Sequence, residues 1–171
     1  MNNTIEFQYY PKNSKIPKDL QDVVDVFKYK HSSINSKNHN LVSNEVLNIV
    51  SKELVGLGFT IEKSKRSDDR IKVPVLFGKN GIMEKSFDAD GYNEDKKIVI
   101  EVEAGRAFTN YQFLKDLFQA CVMSDVDYLV IAVRCIYRSN PDFEKIITFF
   151  DTLYASGRLS LPLKGILVIG Y

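Results

Sequence analysis

Residues 86–105 read SFDADGYNEDKKIVIEVEAG, two strand-like runs around a polar turn. Successive side chains of an extended strand point to opposite faces. In Ile98–Glu103 (IVIEVE), Val99, Glu101 and Glu103 therefore share one face, and Ile98, Ile100 and Val102 the other. On the preceding run the same rule groups Asp88 with Asp90, opposite Phe87 and Ala89. The short turn over 93–97 makes the two runs natural hairpin neighbours. Where the acidic faces coincide, three or four carboxylates meet with no basic residue between them.

Outward from this hairpin the pattern predicts an α/β fold. Upstream, Val46, Ile49, Val50, Leu54 and Leu57 recur at helical spacing. With Ser43 or Asn44 as cap and Gly58 as stop, they predict a helix over 45–57. Strands are expected over 59–63, 71–77 and 86–92, separated by turn-forming residues at 67–70 and 78–81. Downstream come a helix over 110–123, a strand over 128–133, a helix over 141–156 opened by Asn140 and Pro141, and a strand over 165–170. Such strand–helix–strand crossovers imply a partly parallel, mixed sheet flanked by helices. The first forty residues are less informative: a turn over 10–15, an amphipathic helix after Pro17 carrying Leu20, Val23, Val24 and Phe27, and a polar loop over 32–40.

A chain of 171 residues, 44% hydrophobic, can bury one sizeable core. One domain over 1–171 is expected, with 1–40 as a helical extension and loop, 42–135 as the core, and 140–171 as a terminal helix and strand. The 23 basic and 22 acidic residues leave a net charge of +1, so nucleic acid has to be met by local patches rather than by a global field. Cys121 and Cys135 sit in apolar contexts that suit reduced thiols. The polar N-terminus and the absence of a long apolar run predict a cytoplasmic protein with no membrane segment. His31 and His39 lack zinc-ligand neighbours, and no phosphate-cradling glycine loop or nucleophile elbow is present, so zinc, a nucleotide cofactor and serine-hydrolase chemistry are not expected.

Carboxylates crowded on one sheet face repel and raise one another's pKa unless a cation neutralises them. Mg²⁺, with Mn²⁺ as its substitute, suits such a cluster because it takes few carboxylate oxygens and keeps waters for substrate phosphates. An acidic hairpin facing water is the plainer reading. Against it, Glu101 and Glu103 interrupt the most apolar strand of the hairpin. Lys63, Lys65, Arg66, Arg70 and Lys72 form a basic tract, diluted by Glu62, Asp68 and Asp69, that offers phosphate contacts.

The element order and the residues FDADGY-x5-IVIEVEAG resemble the PD-(D/E)XK nuclease superfamily, over roughly residues 42–135. The resemblance implies a restriction-endonuclease-like αβββαβ core and Mg²⁺-dependent hydrolysis of DNA phosphodiesters, with a homodimer acting on a duplex. It matches Asp90 or Asp88 to the family aspartate; Asp90, beside Gly91 at the strand mouth, ranks ahead, although Asp88 has the commoner spacing to Glu101. Glu101 matches the first acidic position of the second half. The family lysine falls on Glu103, a Glu-x-Glu arrangement similar to that of BamHI-type restriction endonucleases. The implied metal ligands are Asp90, Glu101, Asp88 and Glu103, with Glu103 a ligand or a water-activating base. A first-helix carboxylate, Glu45 in preference to Glu53, would assist. Lys115 would replace the family lysine, Arg106 would hold a phosphate, and Gln112 or Gln119 would face the site. The alternative is the same fold as a catalytically inactive DNA-binding or protein-interaction module.

Overall fold

The computed structural model describes residues 4–63 and 69–171. The chain runs β1 (Glu6–Tyr10), α1 (Lys18–Ile34), α2 (Ser43–Gly56), β2 (Thr60–Ile61), β3 (Ile71–Phe77), β4 (Met83–Ala89), β5 (Gly91–Asn93), β6 (Ile98–Glu103), α3 (Gln112–Val122), β7 (Tyr128–Val133), α4 (Asp142–Ser156) and β8 (Gly165–Gly170). Among the described residues, no helix is long and apolar enough to cross a membrane.

The apolar runs of β6, β7 and β8 lie parallel, with Glu103 level with Val133 and Val133 level with Gly170. Strand order is β1-β8-β7-β6-β5-β2, the outer strands pairing antiparallel, and β3 with β4 forms a separate two-stranded arm. Alternation then sorts the strands into two cores. Ile100, Val102, Val130, Ala132 and Leu167 pack with Val24, Phe27, Val50 and Leu54 of α1 and α2. Val99, Leu129, Ile131 and Val168 pack with Phe113, Leu117, Ile146 and Phe150 of α3 and α4. Covering both faces explains why β7 and β8 read as nearly unbroken apolar runs. The mixed α/β sheet flanked by helices agrees with the sequence expectation.

Four local expectations need correction. Residues 6–10, where no strand is expected and only Tyr10 falls in the turn over 10–15, form β1 along β8, and Tyr10 is buried with its hydroxyl donating to Asp151 at 2.7 Å. Five residues are too few to show a period, and the pairing edge that recruits them lies at the far end of the chain. Helix α1 extends into the start of the expected polar loop as far as Ile34, whose burial rewards the added residues. Helix α2 begins at Ser43, so neither Ser43 nor Asn44 is its cap; the Glu45 carboxylate instead accepts the Val42 N–H at 2.8 Å. The expected strand over 86–92 breaks at Asp90 into β4 and β5, because its two halves pair in different sheets.

Cys121 and Cys135 are free thiols, each half-buried. Desolvation pushes both thiol pKa values up, Cys135 to about 11.

The central strand carries the packing, so Ile131→Ala should cost about 2–5 kcal/mol of stability. Leu76→Ala, on the exposed arm, should stay within about 0.5 kcal/mol. Urea titration with an unchanged slope would check both; equal losses would show that the sheet centre is not the stability core.

Candidate active-site cleft

The register Gly91↔Ile100 places Asp90, one residue earlier, beside Glu101 on the face that α3 covers. Gly91 permits the approach: a Cβ there would lie 2.6 Å from Ile61 Cδ1 and 2.8 Å from Ile100 Cγ2. Asp90 is then tied to β6, its Oδ2 accepting the Val102 N–H at 2.7 Å, while its carbonyl accepts the Glu62 N–H at 2.8 Å.

A cleft of about 420 Å³ opens over these strand ends. Its floor carries Asp90, Glu101 and Glu103, and Asp88 and Arg70 form one wall, paired at 2.6 Å. Lys115 and Gln112 enter from α3, and Ser43 and Asn44 from the start of α2. Ser43 Oγ accepts the Ala104 N–H at 3.2 Å, which locks α2 to the end of β6. Behind the cleft stands Asp116 of α3, 2% exposed. Its Oδ1 lies 3.4 Å from Gln112 Nε2 and 3.6 Å from Lys115 Nζ, and its Oδ2 has no hydrogen-bond partner among the described residues.

Among the described residues that line the cleft, the carboxylates outweigh the cations. Burial pushes the Glu101 pKa well above the usual carboxylate range, and Asp90, Asp116 and Glu103 push it further, with Lys115 opposing. Asp116 rises to about 6, chiefly through burial, again against the pull of Lys115. Among the described residues no three His, Cys, Asp or Glu side chains are grouped as a ready-made metal cage. A Mg²⁺ ion asks for less, since one or two carboxylates plus waters and phosphate oxygens complete its shell. Asp90 and Glu101, charge-crowded and open to a polar cleft, have the donor chemistry for that.

Of the residues singled out in the sequence, the cleft gathers Asp88, Asp90, Glu101, Glu103, Lys115, Arg70 and Gln112. Glu45 is not brought there; it is exposed and spent on capping α2. Glu53 pairs with Lys30 at 2.8 Å. Arg106 is exposed, with a left-handed backbone (φ 65°), and Lys63 is exposed; neither lines the cleft. Lys65 and Arg66 lie outside the described residues. The sequence reading gives Ser43 and Asn44 only a capping role and Glu62 only a part in the basic tract's charge, and passes over Asp116. Asp116 did leave a signal, because it falls three residues after Phe113 and beside Leu117, a charge on the buried stripe of its helix.

Comparison with protein-family models, with curated proteins and with solved structures found no match to this chain.

Because the folded-state pKa of Asp116 lies above its ordinary 3.8, the folded protein binds more protons than the unfolded chain once the pH exceeds about 4. Stability from this group is full below that point and is lost as pH rises through about 6. The total is on the order of 2–3 kcal/mol. Asp116→Asn should remove that part of the pH dependence and stabilise the metal-free protein at pH 8. Urea unfolding at pH 5 and pH 8 reads it; an equal decline in the variant would refute the assignment.

Proposed function

We propose that the protein is a Mg²⁺-dependent nuclease that hydrolyses DNA phosphodiester bonds, related in design to the PD-(D/E)XK restriction-type enzymes, acting in the cytoplasm as a homodimer on duplex DNA. The observation that carries this reading is Glu101, a carboxylate buried on a central strand beside Asp90 at the floor of an open polar cleft. A buried, like-charged pair is costly unless a cation or a proton neutralises it, and such arrangements concentrate at functional sites.

Asp90 and Glu101 would hold the ion, with Glu103 as a further ligand or as the group that takes a proton from the attacking water. When bound, Mg²⁺ would supply Lewis-acid polarisation of the scissile phosphate and a water of lowered pKa. Lys115, already within the electrostatic reach of Glu101, presents an ammonium on the opposite wall for the charge that builds on the phosphate. Arg70, paired with Asp88, offers a guanidinium that suits a phosphate oxygen. The walls position the substrate, and the Val102 amide holds Asp90 in place.

A second reading, an inactive nucleic-acid-binding or protein-interaction module on the same scaffold, draws on Glu103 standing where the family lysine would be.

Glu101→Ala should abolish Mg²⁺-dependent cleavage of a supercoiled plasmid, exceeding the roughly 10–100-fold losses typical of outer-shell changes around a metal. Mg²⁺ should raise the thermal midpoint of the parent protein at pH 8 and leave that of Glu101→Ala unmoved. Duplex binding without cleavage in either Mg²⁺ or Mn²⁺ would favour the inactive module, and a Mg²⁺ response surviving in Glu101→Ala would refute the assigned ligand.

A further inference from the structure

A second cavity, of about 520 Å³, opens beside the cleft and has the opposite character. It lies between the loop after α1 and the turn after β7, and its lining among the described residues carries Lys37, His39, Arg134 and Arg138 and no acidic residue. In a chain of net charge +1 this is a pronounced local excess. Among the described residues, none of Lys37, Arg134 and Arg138 is in an ion pair.

The arrangement is built rather than incidental. Arg134 is only 7% exposed, and its guanidinium donates to Asn40 Oδ1 at 2.7 Å and to the Leu41 carbonyl. Neutral acceptors hold it in place, and the nearby Asp142 carboxylate is felt through space rather than through a salt bridge. Arg134 and Arg138 both approach the Tyr137 ring, their Cζ atoms 5.5 and 5.3 Å from its centroid. Arg138 and the following Ser139 occupy a tight turn with φ of 46° and 66°, a conformation that favours Gly or Asn. Two guanidiniums are thus gathered on one ring beside a disfavoured turn, an arrangement that an anion between them would stabilise.

Its position relates it to the cleft. Glu103 is level with Val133 on the neighbouring strand, and Arg134 follows directly, so the two sites stem from adjacent strand ends, Glu103 on the face that α3 covers and Arg134 turned to the opposite face toward Asn40 and Leu41. Tyr171 bridges them: its hydroxyl donates to the Glu103 carbonyl at 3.2 Å, and its own carbonyl accepts from Ser36, in the cavity wall.

We propose that this cavity is a second, non-catalytic phosphate seat that grips the backbone of the nucleic acid whose scissile bond lies in the acidic cleft. The proposal rests on the nucleic-acid partner of the reading above, not on its hydrolysis. A cation that meets a backbone phosphate releases condensed counterions, which makes its contribution readable as salt dependence.

The test is binding of a fluorescent DNA duplex in EDTA, followed by anisotropy across roughly 50–200 mM salt. It compares the parent with Lys37→Ala/Arg138→Asn, in which asparagine suits the left-handed turn. The slope of log affinity against log salt should become shallower by about 2, and affinity at 0.1 M salt should fall roughly 10–100-fold irrespective of sequence. Arg158→Ala, at the opposite end of β8, should change neither. An unchanged slope in the double variant, or the same change in Arg158→Ala, overturns the proposal. So does calorimetry in which inorganic phosphate binds the parent and not the double variant while duplex affinity stays equal, since the seat would then belong to a free anion. A duplex that binds with the expected slope change and is never cut overturns the nuclease reading alone.

Discussion

The bond from the Val102 amide to the Asp90 carboxylate, 2.7 Å long, ties the start of β5 to β6 where their backbone ladder ends. Where β4 leaves its own two-stranded arm and becomes β5, the ladder is interrupted, and an amide on the central strand β6 is satisfied by a side chain rather than by a backbone carbonyl. A buried amide left unpaired would cost on the order of 1–3 kcal/mol, so the bond is structural. It is also electrostatic in consequence, because it draws a carboxylate to the side of Glu101. The fold and the crowding of negative charge at its centre thus share one cause.

That crowding is tolerated because the sheet around it is apolar and closed on both faces. Val99, Leu129 and Ile131 under α3, and Ile100, Val102 and Val130 under α2, supply the burial against which a few strained carboxylates can be held. Glu101 and Asp116 meet this constraint in the metal-free protein by holding protons more tightly than free carboxylates do. A proton and a divalent cation are alternative solutions to the same excess of charge, which is why the proposed metal chemistry and the pH response converge on the same residues.

The two cavities at the C-terminal edge of the parallel strands divide the charge between them, carboxylates with Lys115 and Arg70 over β5 and β6, and a cluster of cations beside β7. A polyanion laid along that edge would meet an attractive field next to an acidic site where the proposed cation would offset the carboxylates. The proposed division of labour, grip on one side and hydrolysis on the other, follows from that order of charges along one edge of the sheet.

The period of two in IVIEVE set Glu101 and Glu103 on one face, and the short polar turn brought β5 alongside with Asp90 at its start, while Asp88 stayed on the separate β3–β4 arm; the first two are local properties, written in consecutive residues. The helices α2, α3 and α4 and the strands β7 and β8 were legible for the same reason, since each carries its own apolar period. What the chain could not display locally is whatever depends on a distant partner. β1 exists because β8, more than 150 residues later, offers an edge. Arg134 and Arg138 meet Lys37 only because α1 and β7 end on the same side of the sheet, and Asp116 becomes part of the acidic centre only when α3 docks over β6. Sequence determined which faces are charged, and tertiary packing decided which charges meet, because side-chain period is a property of the backbone and proximity is a property of the closed fold.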